Sequence, residues 1–286
     1  MAAVSIKVND ELIHRALAED AADCDLTAQA TIAAGQSGTA LITAKAAGVL
    51  SGVQLADRVF ELLDAAIIRD WQRGDGDAVQ AGDQIASFSG PLRSLLSAER
   101  TALNFIQHLS GIASATQAFV EAVAGTDCAI VDTRKTTPGL RHLEKHAVLH
   151  GGGLNHRMDL ASGMLIKENH ILAAGSIGAA IAHCRELLTR EGGASDVWIE
   201  VECETLDELR EAVDAAPDII LLDNMSPQLT EQARAMVPAS IVLESSGNIT
   251  LQNARAYAEA GVDRIAIGAI THSAPSLDIS MRVVAG

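Results

Sequence analysis

The chain has 286 residues, enough for one large domain or two smaller ones; 48% are apolar and only 2% aromatic, so Ala, Val, Ile and Leu must fill the interior. A formal net charge of -16 excludes nucleic acid and anionic membrane as general partners, because the summed field repels both. No apolar run approaches the ~18 residues of a spanning helix, the charged N-terminal stretch shows no leader pattern, and Cys24, Cys128, Cys184 and Cys203 have neither metal nor disulfide spacing, so a cytoplasmic setting is expected.

Residues 9 to 20 read as an amphipathic helix, with Leu12, Ile13, Ala16 and Leu17 at helical spacing. Gly38 to Lys45 and Gly48 to Gly52 read as strands joined by a turn, and Asp75 to Gly90 adds short strands with Gly-Asp turns. From Ser94 to about Ala124 a helical pattern runs on, read as two helices broken near Ser110-Gly111. The first hundred residues therefore look like a separate α+β unit, with the helical region leading onward.

After residue 125 the texture is regular. Apolar β-rich runs fall at Cys128–Val131, Gly163–Ile166, Val197–Val201, Ile219–Leu222, Ile241–Leu243 and Arg264–Ile267. Helical patterns separate the later ones: Thr205 to Ala215, with Glu208 three residues after Thr205 as a capping box requires, then Ser226 to Met236 and Thr250 to Ala260. Alternation of this kind implies a parallel sheet, and short crossovers without a dinucleotide fingerprint favour a barrel.

Polar residues follow each of those runs: Asp132-Thr-Arg-Lys, Lys167-Glu-Asn-His, Glu202, Asp223-Asn, Ser245-Ser-Gly-Asn and Gly268. In a barrel all strand C-termini open on one face, so these residues converge on one mouth. Between Arg134 and His170 this acidic chain places six Lys/Arg and five of its nine histidines, which points to a small, strongly anionic ligand. Arg134, Lys135, Arg157 and Lys167 offer forks and point charges for carboxylate or phosphate, and His156 beside Arg157 is a further donor. His142, His146, His150 and His183 read as structural. Gly151-Gly-Gly allows close backbone approach, and Ser246-Gly247-Asn248 and Gly268, placed before helices late in the barrel, suit a phosphate. Glu202 and Asp223 are hard carboxylates suited to Mg2+, and Glu200 shares a strand face with Glu202. No zinc spacing is present.

Several motifs together carry a resemblance to the quinolinate phosphoribosyltransferase family. They are Glu99-Arg-Thr-Ala-Leu-Asn-Phe, Ser110-Gly-Ile-Ala, Asp132-Thr-Arg-Lys-Thr-Thr-Pro-Gly-Leu-Arg, Gly151-Gly-Gly-Leu-Asn-His-Arg, Leu165-Ile-Lys-Glu-Asn-His-Ile, Leu222-Asp-Asn-Met, Ser246-Gly-Asn and Val262-Asp-Arg-Ile-Ala-Ile-Gly-Ala. The resemblance runs in order from about residue 99 to 282. Two stretches depart from the pattern: Ala21-Ala-Asp-Cys24 stands where a glycine-bearing turn is expected, and Asp159-Leu-Ala-Ser-Gly163 is unusual.

The resemblance implies an α/β protein: an N-terminal open-faced α/β sandwich over residues 1–112, to which about 273–286 return, and an incomplete, about seven-stranded α/β barrel over 113–272. It implies a homodimer and transfer of phosphoribosyl from phosphoribosyl pyrophosphate to quinolinate, with decarboxylation to nicotinate mononucleotide, in NAD biosynthesis. Quinolinate would be held by Thr133, Arg134, His156, Arg157 and Lys167, with Arg100 contributed from the partner subunit, and Lys135 would lie between the two substrates. Phosphoribosyl pyrophosphate would sit near Glu202 and Asp223 with Mg2+, its 5-phosphate on Ser246, Gly247, Asn248 and on Ile267, Gly268, Ala269. Lys135, Lys167, Glu202 and Asp223 would be the catalytic set. Two other readings remain open: a Schiff-base lyase using Lys167, and a non-catalytic anion-binding relative of the molybdenum-transport-associated type.

Overall fold

The computed structural model describes residues 9–190 and 197–284; residues 1–8, read above for a leader, and the last two residues of the returning segment lie outside the described residues. In chain order the regular elements begin with α1 (Asp10–Glu19), α2 (Leu26–Thr31), β1 (Ser37–Ala44), β2 (Gly48–Val49), α3 (Val53–Leu63), β3 (Ile68–Trp71), β4 (Ala78–Val79), β5 (Gln84–Pro91) and α4 (Leu92–Ala122). They continue with β6 (Ala129–Val131), α5 (Arg141–His150), β7 (Met164–Ile166), α6 (Glu168–Ala174), α7 (Ile177–Arg190), β8 (Ile199–Cys203) and α8 (Leu206–Ala215). The chain closes with β9 (Ile219–Asp223), α9 (Pro227–Met236), β10 (Val242–Ser246), α10 (Ala254–Glu259), β11 (Arg264–Ala266), α11 (Ala269–His272) and β12 (Ile279–Val284). Two compact units result: Met1–Gln117 with Pro138–Gly152 and Ser273–Gly286, and Ala118–Thr137 with Gly153–His272.

The first unit is built on an antiparallel sheet of order β12-β1-β5-β3. The alternation of β1 buries Ala40, Ile42 and Ala44 on one face and leaves Thr39, Leu41 and Thr43 half-buried on the other. Against the buried face pack Ile13 and Leu17 of α1, Val59 and Phe60 of α3, and Leu95, Leu103 and Ile106 of α4. Phe88 meets Phe60 and Trp71 edge to face at centroid distances of 4.6 and 5.2 Å, the arrangement ring quadrupoles favour. The β12 strand, from the C-terminal segment, pairs antiparallel with β1.

Three local outcomes in this unit differ from the sequence reading. First, α4 runs unbroken for 31 residues through Ser110-Gly111. Gly111 is there for close approach rather than a break: a Cβ on it would stand 2.2 Å from the Pro275 carbonyl oxygen. The Ser110 hydroxyl accepts from the Ser51 amide at 2.9 Å. Second, residues 138–152, expected with the barrel, belong to the first unit, where His108 pairs with Glu144 at 2.9 Å and His150 Nδ1 lies 2.8 Å from the Ser51 hydroxyl. Third, in Ala21-Ala-Asp-Cys24, where a glycine-bearing turn was expected, Ala21 adopts the left-handed conformation, at φ 48°. An L-residue there carries a steric penalty of about 1 kcal/mol or more.

The second unit holds a six-stranded parallel sheet of order β6-β11-β10-β9-β8-β7. Its interior strands are continuous apolar runs; Ile219, Ile220, Leu221 and Leu222 of β9 are all buried, as a sheet covered on both faces demands. Next to β6 a seventh position is marked by one parallel bridge, between Val131 and Leu154. It extends no further because the next groups turn to a side chain: Asn155 Nδ2 and the His156 amide donate to the two buried Asp132 carboxylate oxygens at 2.7 and 2.8 Å. The expected capping box at Thr205 and Glu208 opens α8, whereas the helix read from Thr250 begins only at Ala254. Thr250 is held instead in a turn, its amide donating to Asn253 Oδ1 at 2.7 Å. Among the described residues no single helix is long and apolar enough to cross a membrane.

Candidate active site

Beyond the C-terminal ends of the parallel strands lies a cleft of roughly 540 Å³, within the usual range for small-molecule sites. Thr133, Arg134 and Lys135 follow β6, Lys167 follows β7, and Glu202 is the fourth residue of β8. Asp223 closes β9, and Ser246, Gly247 and Asn248 end or follow β10. With His156 and Arg157, all of these line the cleft. Ile267, Gly268 and Ala269 follow β11; Gly268 packs on the Lys135 side chain, while the Ile267 amide is already donated to the Val131 carbonyl at 3.0 Å. Arg100 lies exposed on α4, in the first unit.

One rim of the cleft is cationic. Arg157 is anchored by Nη1 donating to the Gly163 carbonyl at 2.8 Å. Burial, and then the neighbouring Arg134 guanidinium, pull it below the usual guanidinium range, although an arginine stays charged. Two like charges held together are relieved when an anion arrives between them. Lys135 is placed by the buried Thr271, whose hydroxyl donates to the Lys135 carbonyl at 2.8 Å. Lys167 Nζ pairs with Glu202 Oε2, and the lysine side chain is 45% exposed against 11% for its partner. The Lys167 amine is thus solvated and ion-paired.

The opposite rim carries the acids and a tight turn. Asp223 Oδ2 accepts from Asn224 Nδ2 at 2.7 Å, and Asn224 Oδ1 accepts from Asn248 Nδ2 at 2.9 Å. Asn224 and Asn248 both sit in the left-handed region, at φ 55° and 53°, with Gly247 at φ 91°. The motif reading noticed Asn224 only as the neighbour of Asp223; an asparagine, the side-chain-bearing residue most tolerant of the left-handed region, just past a strand end was the available signal.

Beneath the rims is a buried charge cluster that the sequence reading did not assemble. Glu200 lies two residues before Glu202 on β8, and Glu244 two before Ser246 on β10, so strand alternation puts them one layer deeper on the same faces. His156 Nε2 is 2.9 Å from Glu200 Oε2 and 3.7 Å from Glu244 Oε1. Arg264 Nε pairs with Glu244, and its Nη2 is 3.9 Å from Glu200. Neither Glu200 oxygen has a well-directed hydrogen bond. Burial pushes Glu200 up to about 7, against the pull of Arg264. Burial and then Glu200 push Glu244 to about 7 as well.

Metal binding can be tested on this chemistry. His156, Glu200 and Glu244 bring three potential ligand atoms within 4.8 Å of one another. However, His156 Nδ1 accepts the Arg157 amide at 2.8 Å, so the neutral ring carries its proton on Nε2, the nitrogen a metal would need. Arg264 already supplies the positive charge. Glu202 and Asp223 in the cleft are the better donor pair, hard oxygens at neighbouring strand ends that fit Mg2+.

A parallel α/β unit whose strand ends gather cations on one rim, and carboxylates with a tight turn on the other, defines a barrel-type enzyme built for two anionic reactants. The chain belongs to the quinolinate phosphoribosyltransferase family: that family's N-terminal domain matches residues 25–110 and its C-terminal domain residues 112–282. It is 44% identical to a probable nicotinate-nucleotide pyrophosphorylase [carboxylating] of Bacillus subtilis, covering 96% of this chain and 92% of the relative. It is 41% identical to the nicotinate-nucleotide pyrophosphorylase [carboxylating] of Mycobacterium leprae, with 95% of each covered. The solved nicotinate-nucleotide pyrophosphorylase of Francisella tularensis superposes with a TM-score of 0.90 at 40% identity, covering 96% of this chain and 95% of that one.

Proposed function

We propose that this chain is a pentosyltransferase that moves the phosphoribosyl group from phosphoribosyl pyrophosphate to quinolinate, releasing pyrophosphate and CO2 and yielding nicotinate mononucleotide for NAD biosynthesis. The observation that carries this reading is the segregation of charge in the cleft: Arg134, Lys135, Arg157 and Lys167 on one rim, Glu202 and Asp223 with the Gly247 turn on the other. A dicarboxylate suits the first rim, and a cation-bearing pyrophosphorylated sugar the second.

In this scheme Arg134, Arg157 and Lys167 grip the two quinolinate carboxylates, with Thr133 beside them and Arg100 supplied by a second copy of the chain in a homodimer. His156 lines the same end through its ring. The pyridine nitrogen attacks C1 of the sugar as pyrophosphate departs, and Lys135 lies where it can steady the leaving charge. Glu202 and Asp223 would hold Mg2+, which supplies charge neutralisation for the departing pyrophosphate. Their carboxylates also face the electron-deficient sugar. The 5-phosphate is received by the Ser246-Gly247-Asn248 turn and by Gly268 and Ala269. Once the ring nitrogen is quaternary it withdraws electrons from the adjacent carbon, CO2 leaves, and that carbon takes up one proton. No organic cofactor is needed. The protein positions the reactants and supplies electrostatics.

A Schiff-base role for Lys167 is not favoured, since such a lysine needs desolvation and this one is solvated and paired with Glu202. The Lys167–Glu202 pair instead links the rims: a carboxylate arriving on Lys167 frees Glu202 for the other reactant. Intact Arg134, Arg157 and Lys167 also disfavour a merely ligand-binding relative. We place the reaction in the cytoplasm. Purified protein given quinolinate, phosphoribosyl pyrophosphate and Mg2+ should form nicotinate mononucleotide, pyrophosphate and CO2. Absence of turnover, or equal use of nicotinate, would defeat the proposal.

A further inference from the structure

The rim opposite the cations is held together by one neutral side chain. Asn224 follows β9 directly, and its amide donates to the Ser246 carbonyl at 2.9 Å, tying the loop after β9 to the end of β10. Its Nδ2 donates to Asp223 Oδ2 at 2.7 Å, and its Oδ1 accepts from Asn248 Nδ2 at 2.9 Å. The relay continues outward, since the Asn248 carbonyl accepts from Asn253 Nδ2 at 3.2 Å.

Two further features mark this as a fitted arrangement. A Cβ on Gly247 would stand 2.2 Å from Asn224 Oδ1 and 2.6 Å from its Cγ, so the turn can close over Asn224 only if residue 247 has no side chain. Of the non-glycine residues in the left-handed region among the described residues (Ala21, Ala216, Asn224 and Asn248), the two asparagines are both in this relay. Asparagine tolerates that conformation better than other side-chain-bearing residues. A carboxamide is also the group that can donate to a carboxylate with one end while accepting from another amide with the other.

We propose that Asn224 is a positioning residue that sets the Asp223 carboxylate and the Gly247-Asn248 turn at a fixed spacing, and so determines how phosphoribosyl pyrophosphate is held. Donation to Oδ2 holds the Asp223 carboxylate in one orientation at the lining of the cleft. The bond to Asn248, made at the exposed surface of the turn, engages that side chain with Asn224 and leaves the turn to meet a phosphate with its backbone. Asn224 thus couples the metal-bearing end of the sugar substrate to its 5-phosphate end without itself carrying charge. This inference rests on the reading of the cleft as a phosphoribosyl pyrophosphate site.

The test uses the full chain and steady-state kinetics with each substrate varied separately. Asn224→Gly keeps the left-handed backbone and deletes only the relay. It should raise KM for phosphoribosyl pyrophosphate about tenfold, with a matching loss of affinity in calorimetric titration, as loss of the two relay hydrogen bonds allows, and raise the Mg2+ concentration for half-maximal rate. KM for quinolinate should stay within about twofold, a split that a merely structural loop staple would not produce. Asn224→Asp keeps the acceptor for Asn248 but sets a carboxylate against Asp223, so it should shift the Mg2+ requirement at least as far. If either variant misfolds, the other still decides. Equal losses for both substrates, or unchanged KM and Mg2+ dependence, would overturn the inference while wild-type turnover leaves the proposed function standing. A wild-type protein without turnover would overturn both.

Discussion

The rim and the floor of the cleft use the same residue types to opposite ends. At the rim, Arg134, Lys135, Lys167, Glu202 and Asp223 line an open cleft, where water and arriving anions can reach them. At the floor, Glu200 and Glu244 are fully buried, with the Arg264 guanidinium and the His156 ring against them. Charge at the rim is a binding resource. Charge at the floor is a stability burden, expressed as carboxylates pushed up to about 7 by burial. A cluster of acids, a histidine and an arginine therefore says little until its solvent exposure and tautomer are known.

The largest effect that would break this contrast is on the floor. Glu244 titrates higher in the folded chain than the ordinary carboxylate value of 4.5, at about 7, so the folded state holds a proton that the unfolded state has released. Stability from this group is fully present below about pH 4.5 and is lost as pH rises to about 7, a change on the order of 3 kcal/mol. Thermal unfolding followed from pH 5 to 8 should show the fall, and Glu244→Gln should reduce it, leaving the share that the likewise raised Glu200 contributes. A wild-type profile that is level across that window would remove the floor from the account.

At the rim, Arg157→Ala should weaken quinolinate binding roughly 10- to 100-fold, the value of one or two charge-assisted hydrogen bonds, with phosphoribosyl pyrophosphate affected less than threefold. Calorimetric titration of each substrate would check this, and a comparable loss for both would undo the division of the cleft into two rims. The smallest effect lies outside rim and floor. Ala21→Gly and Ala216→Gly replace left-handed alanines, at φ 48° and 50°, and should each stabilise the chain by about 0.5 kcal/mol with kinetics unchanged. A destabilised glycine variant would mean that the alanine it replaces is not strained.

Much of the barrel-like unit was legible because its strands are continuous apolar runs ending in polar groups, a pattern visible residue by residue. Asp132, Lys167, Glu202 and Asp223 all lie at such ends. The Ala21 departure was legible too: a missing glycine flagged a backbone that needed one. Gly111 was misread for a physical reason. Low helix propensity reports a weakness in the local chain, whereas this glycine answers to Pro275, 164 positions away, whose carbonyl leaves no room for a Cβ. The α5 segment was assigned to the wrong unit for a similar cause, since its ties to Ser51 and His108 are long-range.

The amino-acid sequence alone determined the family, the order of strands and helices, and which charged residues would meet at the strand ends, because periodicity and strand-end position are local properties of the chain. Only the tertiary structure decided what those residues do for one another. It set His156 between the Arg157 amide and the Glu200 carboxylate, joined Lys167 to Glu202, and threaded Asn224 between Asp223 and Asn248. Hydrogen-bond direction, burial and the room beside a glycine depend on atoms far apart in the chain, and they become definite only when the strands are laid side by side.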